Sequence, residues 1–180
     1  MTFFKSTLAI VSLSAVVFCF LTHEFAHWLM GELMSYDMVM TLNKCYPKAL
    51  QWNSTEDFMI VSAMGPAITL ITSFSAYVLI RFKGNMLWFP FLFTCFYLEL
   101  LSGIMNYRNV NDLGWISRYL NIGLFTLPLI FIMIHFGFLY KTIVREKYTR
   151  AYVLQTLAWI LLFSSVWILV NQKFKIVLIS

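Results

Sequence analysis

The segment HEFAH, residues 23–27, has the residue types and the spacing best suited to chemistry. His23 and His27 are two of the three histidines in the chain, and their separation of four places both imidazoles on one face of a helix. Two imidazoles one turn apart suit a tetrahedral zinc ion. Glu24 follows the first histidine, and in H-E-x-x-H helices this glutamate takes the proton of the attacking water. We therefore predict His23 and His27 as metal ligands and Glu24 as the catalytic residue.

The composition of the chain is typical of integral membrane proteins. Hydrophobic residues make up 61% of the 180 residues and charged residues 12%, whereas soluble domains have about 25% charged residues. The net charge is +5, but the basic residues form short runs between apolar stretches, as loop charges that orient a membrane protein do. The pattern predicts a lipid bilayer as the environment of the chain and no nucleic-acid partner.

Five apolar stretches predict five transmembrane helices. They cover approximately residues 3–33, 58–80, 86–105, 116–140 and 151–170. Because an open sheet would leave backbone groups unpaired in lipid, the expected fold class is an all-α integral membrane protein, with a single domain over residues 1–180. Within the polar stretch 35–57, the alternation around Val39 and Thr41 favours a strand or a re-entrant hairpin.

A metal site in the first predicted helix lies within the membrane, where ionisable groups are costly and are by default candidates for function. Catalytic zinc usually has three protein ligands and one open position, so one more ligand is expected. The residue types leave four candidates: Glu32, Glu99, Asp112 and His135. Glu32 follows His23 by about 2.5 turns and so lies near the opposite face of the helix. We interpret His135 as a buried, hydrogen-bonded histidine.

Three sequence elements, in this order along the chain, resemble the site-2 proteases, a family of intramembrane zinc metalloproteases. The first is HEFAH at 23–27, and the second is AMGPAIT at 63–69, which contains Gly65 and Pro66. The third runs from Asn106 to Asp112, with Gly114 shortly after. The resemblance covers approximately residues 15–115 and implies a three-helix catalytic core within 1–115, with residues 116–180 as additional transmembrane helices.

The resemblance also implies roles for individual residues. Asp112 corresponds to the aspartate that completes the zinc site of the family, with one Zn²⁺ per chain. Asn106 corresponds to an asparagine that helps to hold the substrate or to orient the site, and Gly65 and Pro66 are expected to shape the backbone near the site. The implied substrate is a transmembrane segment of another protein, and the implied location is the cell membrane, as a multi-pass protein.

The sequence departs from the family pattern at several positions. Thr69 stands where many members have asparagine, Leu113 separates Asp112 from Gly114, and the prolines usual in the aspartate segment are absent. Glu99 therefore remains the alternative third ligand. It would be favoured if the chain were instead a prenyl-protein endopeptidase, a class that also uses H-E-x-x-H within membranes and takes glutamate as its third ligand.

Two alternative functions, from other functional classes, compete with the interpretation as a protease. One is a non-catalytic membrane protein that uses a site-2-protease-like fold to bind partner helices, and the presence of Glu24 argues against it. The other is a small metal transporter or sensor, which would be expected to repeat its ligands along a path. The sequence indicates neither the oligomeric state nor the membrane orientation, because the basic run 141–150 and the family resemblance favour opposite orientations.

Overall fold

The computed structural model describes residues 2–180, with side chains described from Ser6 onward. Met1, the first residue of the predicted domain, lies outside the described residues. The described helices are α1 (Thr2–Leu33), α2 (Thr55–Lys83), α3 (Phe89–Met105), α4 (Asp112–Tyr119), α5 (Thr126–Arg145) and α6 (Arg150–Phe174). A single 3₁₀ turn, Met86–Trp88, precedes α3. The strands are β1 (Met38–Thr41), β2 (Cys45–Pro47) and β3 (Val177–Ile179).

Five of the described helices are long and apolar enough to cross a membrane, which confirms the predicted number and is compatible with a multi-pass membrane protein. These spans are Ser6–Leu33, Thr55–Lys83, Met86–Met105, Thr126–Arg145 and Arg150–Phe174. Capping explains the exact limits of α2. The Ser54 hydroxyl accepts a hydrogen bond from the Asp57 N–H at its start, and Gly84 ends it in the left-handed conformation with φ 60°.

The fourth predicted span is wrong at its start. Residues 116–119 belong to the short helix α4, and the membrane-spanning helix α5 begins only at Thr126. The chain turns between the two, where Asn121 and Gly123 both have positive φ angles. The Ser117 hydroxyl accepts a hydrogen bond from the Leu127 N–H, at 3.0 Å, and so ties α4 to the first turn of α5.

The chain also contains a small antiparallel sheet, in the order β2-β1-β3, so the all-α expectation needs correction. The β1–β2 hairpin confirms a strand or hairpin in 35–57, and β3 was not predicted. All four residues of β1 are buried. Side chains of α6 bind the hairpin turn, since Trp167 Nε1 donates to the Leu42 carbonyl at 2.9 Å and the Asn171 amide contacts Asn43.

Successive membrane-spanning helices run in opposite directions, so the bundle has two distinct ends. The sheet end carries β1, β2, β3 and α4, together with the end of α1. The basic end carries the turns 81–88 and 141–150 and the start of α1. A large apolar cluster that includes Val16, Ile80, Phe89 and Ile160 joins the helices. A smaller cluster, Tyr36, Met38 and Val61, packs the sheet end against α2.

Candidate metal centre

The side chain of His23 is oriented by α2. Its Nδ1 lies 2.9 Å from Thr69 Oγ1, and the Thr69 hydroxyl also lies 2.9 Å from the Gly65 carbonyl, one helical turn back. A carbonyl only accepts hydrogen bonds, so the hydroxyl donates its proton there and its oxygen accepts from His23 Nδ1–H. The second ring nitrogen, Nε2, is therefore the one with a free lone pair in the neutral imidazole.

The side chain of His27 is oriented in the same manner by a different group of α2. Its Nδ1 lies 2.7 Å from the Val61 carbonyl oxygen, so Nδ1 carries the proton and donates it. Pro66, inside α2, has no N–H to offer the Ser62 carbonyl, which interrupts the helical ladder next to Val61. Hydrogen bonds that fix the tautomer and the orientation of a histidine in this way are typical of metal ligands.

The start of α4 brings Asp112 to the two free imidazole nitrogens. Asp112 Oδ2 lies 3.3 Å from His23 Nε2 and 3.5 Å from His27 Nε2, and the two Nε2 atoms are 3.2 Å apart. Zinc bonds of about 2.0–2.1 Å at tetrahedral angles separate neighbouring ligand atoms by about 3.4 Å. The three donors thus have the spacing of one face of a coordination tetrahedron, and this group could hold a metal ion.

The absence of a side chain at Gly65 leaves space for such an ion. A Cβ atom at this position would stand 2.5 Å from His23 Nε2 and closer still to His27 Nε2. It would therefore fill the space that both nitrogens face. Gly65 and Pro66 both lie in α2, and Gly65 faces the Nε2 atoms of His23 and His27.

Glu24 is buried, with 9% of its surface exposed. The charges that act on its carboxyl are those of His23, His27, Asp112 and Lys44. Lys44 belongs to the β1–β2 turn, so the hairpin lies close enough to the site to influence it electrostatically. The predicted catalytic residue and the three predicted ligands therefore belong to one cluster at the sheet end.

The electrostatics of the group suit a cation. Burial raises the pKa of the Asp112 carboxyl, but the charges of His27 and His23 and the hydrogen bonds from them outweigh this effect and keep the pKa well below its usual range. At the edge of the hairpin, burial and then the negative charges of Glu24, Glu32 and Asp112 raise the pKa of Cys45 to about 12. Asp112 therefore stays in the anionic form that binds a metal ion, whereas burial and the neighbouring carboxylates keep Cys45 in its neutral thiol form.

Asn106 has a structural role in the loop that precedes Asp112. It is buried, its Oδ1 accepts from the Asn111 N–H at 2.7 Å, and its Nδ2 donates to the Ser102 carbonyl at 3.0 Å. These bonds close the loop between α3 and Asp112. A Cβ atom at Gly114 would stand 2.8 Å from Asn106 Cγ, so the glycine allows α4 to lie against this amide. Asn106 therefore ties the loop before Asp112 to the end of α3, with both ends of its amide bonded to the backbone.

The other candidates for the third ligand lie outside the group. Glu99 is buried in α3 but contributes no atom to it. Glu32 Oε1 instead accepts a hydrogen bond from the Met38 N–H, at 2.9 Å, at the start of β1. His135 is fully buried in α5, and its Nδ1 lies 2.8 Å from the Phe131 carbonyl.

Two contributors to the site could not be found from the sequence. The sequence singles out Thr69 only as a departure from the family pattern, whereas its hydroxyl orients His23. The Val61 carbonyl, which orients His27, has no signal in the sequence because any residue type could supply it. The one clue in the sequence to Thr69 and to the Val61 carbonyl is that the Gly65-Pro66 pair lies in the same helix, α2.

We compared the chain with protein-family models, with curated proteins and with solved structures, and nothing matches in any of the three comparisons.

Proposed function

We propose that this protein is an intramembrane zinc metalloprotease of the site-2 protease type, which hydrolyses peptide bonds in or near transmembrane segments of other membrane proteins. The observation that carries the proposal is the convergence of His23 and His27, in a helix suited to crossing a membrane, with Asp112 of α4, beside Glu24. We place the protein in the cell membrane, with the lipid bilayer and a membrane-protein substrate as its partners.

The donor set fits zinc as a resident ion. His23 Nε2, His27 Nε2 and one Asp112 oxygen would bind it, which leaves a fourth position open, as catalytic zinc sites require. When bound, zinc supplies Lewis acidity, which polarises a peptide carbonyl and lowers the pKa of a coordinated water to about 7. The Asp112 side chain is 30% exposed, so water can reach this side of the cluster.

Glu24 would act as the general base and then as the general acid. Its carboxylate takes a proton from the attacking water and later returns a proton to the amine that leaves. The hydrogen bonds of Thr69 and Val61 keep both imidazoles in the tautomer that directs Nε2 to the site. No further titratable side chain is needed for this sequence of proton transfers.

A substrate helix must unwind before its carbonyls can be attacked, because they are occupied in helical hydrogen bonds. An unwound segment could bind as an additional strand at a sheet edge. Since β1 is paired on both sides, the free edges are those of β2 and β3. The edge of β2 begins at Cys45, which Glu24 and Asp112 influence electrostatically. We therefore place the substrate along β2.

Elemental analysis of the detergent-purified full chain, alone and as the His23→Ala, His27→Ala double variant, tests the metal site. We expect one zinc per chain in the native protein and none in the variant. Two histidines and a carboxylate also suit non-haem iron, so iron in place of zinc would contradict the proposal, as would zinc that the variant retains.

Activity is tested separately, in vesicles that contain single-span reporter proteins with and without a helix-breaking Gly-Pro pair in the span. We expect cleavage near the helix-breaking pair, and no cleavage by the Glu24→Gln variant, which should keep its zinc. Equal cleavage by the native protein and by this zinc-loaded variant would exclude Glu24 as the base. A zinc-loaded native protein that cleaves no reporter would favour a metal-binding scaffold.

A further inference from the structure

The basic end contains a cavity of about 350 Å³, far from the metal centre. It lies between the end of α2, the 3₁₀ turn before α3, and the link from α5 to α6. Its lining includes Gly84, Met86 and Tyr152, together with one acid and one base, Glu146 and Lys147. This volume is at the lower end of the range for sites that bind small molecules, and it would accommodate a phosphate-containing headgroup.

The surroundings of this cavity are strongly cationic. All six basic residues of the two turns at this end have exposed side chains: Arg81, Lys83, Lys141, Arg145, Lys147 and Arg150. Among the described residues, the one acid at this end is Glu146, and its carboxylate pairs with Arg145 at 3.5 Å. Arg145 Nη2 also donates to the Arg81 carbonyl at 3.2 Å, which joins the two turns. Glu146 balances Lys147 within the lining, so the preference for an anion comes from the basic residues that surround the cavity.

An apolar groove continues from the cavity toward the middle of the bundle. The two share Met86 and Tyr152, and the Tyr152 hydroxyl donates to the Met86 carbonyl at 3.1 Å where they meet. The groove follows α1 along Leu8 and Val11, with Leu87 opposite. A cavity surrounded by basic turns at the helix ends thus leads into a narrow apolar groove along a membrane-spanning helix.

We propose that this pair of features binds an anionic glycerophospholipid, with the phosphate headgroup in the cavity and one acyl chain lying along the groove. The groove has a volume of about 30 Å³, so it contacts one side of the chain without enclosing it. Basic pockets between helix ends at a membrane surface suit anionic headgroups. A soluble phosphate compound would leave the groove empty, and a zwitterionic lipid would bring its own cation beside Lys147. The site shares no residue with the metal centre and does not depend on the proposed protease activity.

The test is a titration of the detergent-solubilised full chain with dioleoylphosphatidylglycerol and with dioleoylphosphatidylcholine, with bound lipid counted by native mass spectrometry. We expect the anionic lipid to bind at least roughly tenfold more tightly. The Lys83→Gln, Lys147→Gln variant should lose about 25-fold in affinity for the anionic lipid, at roughly fivefold for each lysine near the membrane surface.

The matched control is the Lys173→Gln, Lys175→Gln variant at the sheet end. Each pair contains two exposed lysines, one of them in the left-handed conformation, at Lys147 with φ 53° and at Lys175 with φ 47°. The control should bind the anionic lipid as the native protein does. An equal loss in both variants would overturn the proposal, because it would show a general effect of net charge.

Two further measurements distinguish the contribution of the groove to lipid binding from that of the charges. Val11→Phe adds volume to the groove without changing any charge, and it should weaken lipid binding severalfold. Soluble glycerol 3-phosphate, which has the headgroup chemistry but no acyl chain, should bind far more weakly than the lipid. Unchanged binding in Val11→Phe, equal affinity for glycerol 3-phosphate, or equal affinity for the two lipids would each contradict a phospholipid site.

Discussion

The two ends of the helix bundle use polar residues in opposite ways. At the sheet end, polar side chains such as Glu24, His27 and Asn106 are buried, and hydrogen bonds between elements fix the orientation of His27 and Asn106. At the basic end, the basic side chains of the two turns are exposed, and the elements are joined by tight links at 84–85 and 146–149. The small sheet and the short helix α4 lie at the sheet end. Among the described residues, the basic end contains no strand, and its one short helical element is the 3₁₀ turn Met86–Trp88.

This difference indicates which changes should matter at each end. Buried donors at the sheet end are held within a few tenths of an ångström of the spacing of a coordination site, so small changes of shape should have large effects there. At the basic end, charge is distributed over flexible exposed side chains, so loss of a single residue should have little effect on the fold. The following predictions test this contrast, from the largest expected effect to the smallest.

Gly65→Ala should abolish stoichiometric metal binding, because its methyl group would occupy the space between the two imidazoles. Changes in residues that only support metal ligands already weaken binding by about 10–100-fold, so a group between the ligands should exceed this. The measurement is metal content together with competition against a chelator. Gly137→Ala in α5 is the control, since a Cβ there meets nothing within 4 Å. Unaltered metal affinity in Gly65→Ala would show that the ion binds elsewhere.

Asn106→Ala should release the loop that carries Asp112, because both ends of this amide bond to the backbone. We expect a loss of about 1–3 kcal/mol in the free energy of unfolding and a loss of about 10–100-fold in metal affinity. Unfolding in mixed detergent and a metal titration measure the two effects. Asn109→Ala, at an exposed position of the same loop, should change the free energy of unfolding by about 0.5 kcal/mol or less.

Thr69→Val should weaken metal binding by roughly tenfold, because His23 Nδ1 loses the hydroxyl that orients it. Thr94→Val in α3 is a close control. Thr94 is also buried and also donates to a carbonyl one turn back, at 2.8 Å, but it does not contact the histidines. Both variants should lose about 1 kcal/mol in unfolding free energy. If metal affinity fell equally in both, the Thr69 hydroxyl would have no orienting role.

Arg145→Gln should have the smallest effect, a loss of about 1 kcal/mol or less in the free energy of unfolding. The Arg145–Glu146 pair and the bond to the Arg81 carbonyl are exposed, and exposed ion pairs contribute little. Metal affinity should be unchanged. A loss comparable to that of Asn106→Ala would show that the basic end is as tightly constrained as the sheet end, which would remove the contrast.

Much of the helical architecture could be predicted from the sequence because hydropathy identifies spans directly. The failure at the fourth span has a physical cause. Ile116, Leu120, Ile122 and Phe125 extend the apolar character across a turn, so hydropathy alone does not separate α4 from α5. The left-handed residues Asn121 and Gly123 were the available signal.

The strands were harder to predict than the helices. The alternation around Val39 and Thr41 indicated a strand or hairpin in 35–57 without setting its limits, because β1 is buried along its whole length and lacks the exposed face that makes alternation clear. Strand β3 pairs with β1 across more than 130 residues, with a register shift between Met40 and Thr41. No local pattern indicates a pairing over that distance.

The residues of the candidate site also differ in how far they could be predicted from local sequence. The spacing of His23 and His27 is local, so a helix alone brings them together, and the structure places their Nε2 atoms 3.2 Å apart. Asp112 lies 89 residues from His23. The residue types left it as one of four candidates, and only the family resemblance favoured it over the others. The partners on α2 depend on how two helices pack, which the sequence of either helix does not specify.

The position of β3 along the chain also sets an order of assembly. During synthesis, β1 and the hairpin turn emerge early, but β1 cannot acquire its second neighbour until α6 has entered the membrane and β3 has followed it. The contacts from Trp167 and Asn171 to the turn likewise arrive with α6. The sheet beside the metal centre therefore reaches its final form only after all five spans have been inserted. A chain arrested before α6 would expose one edge of β1 to other nascent proteins.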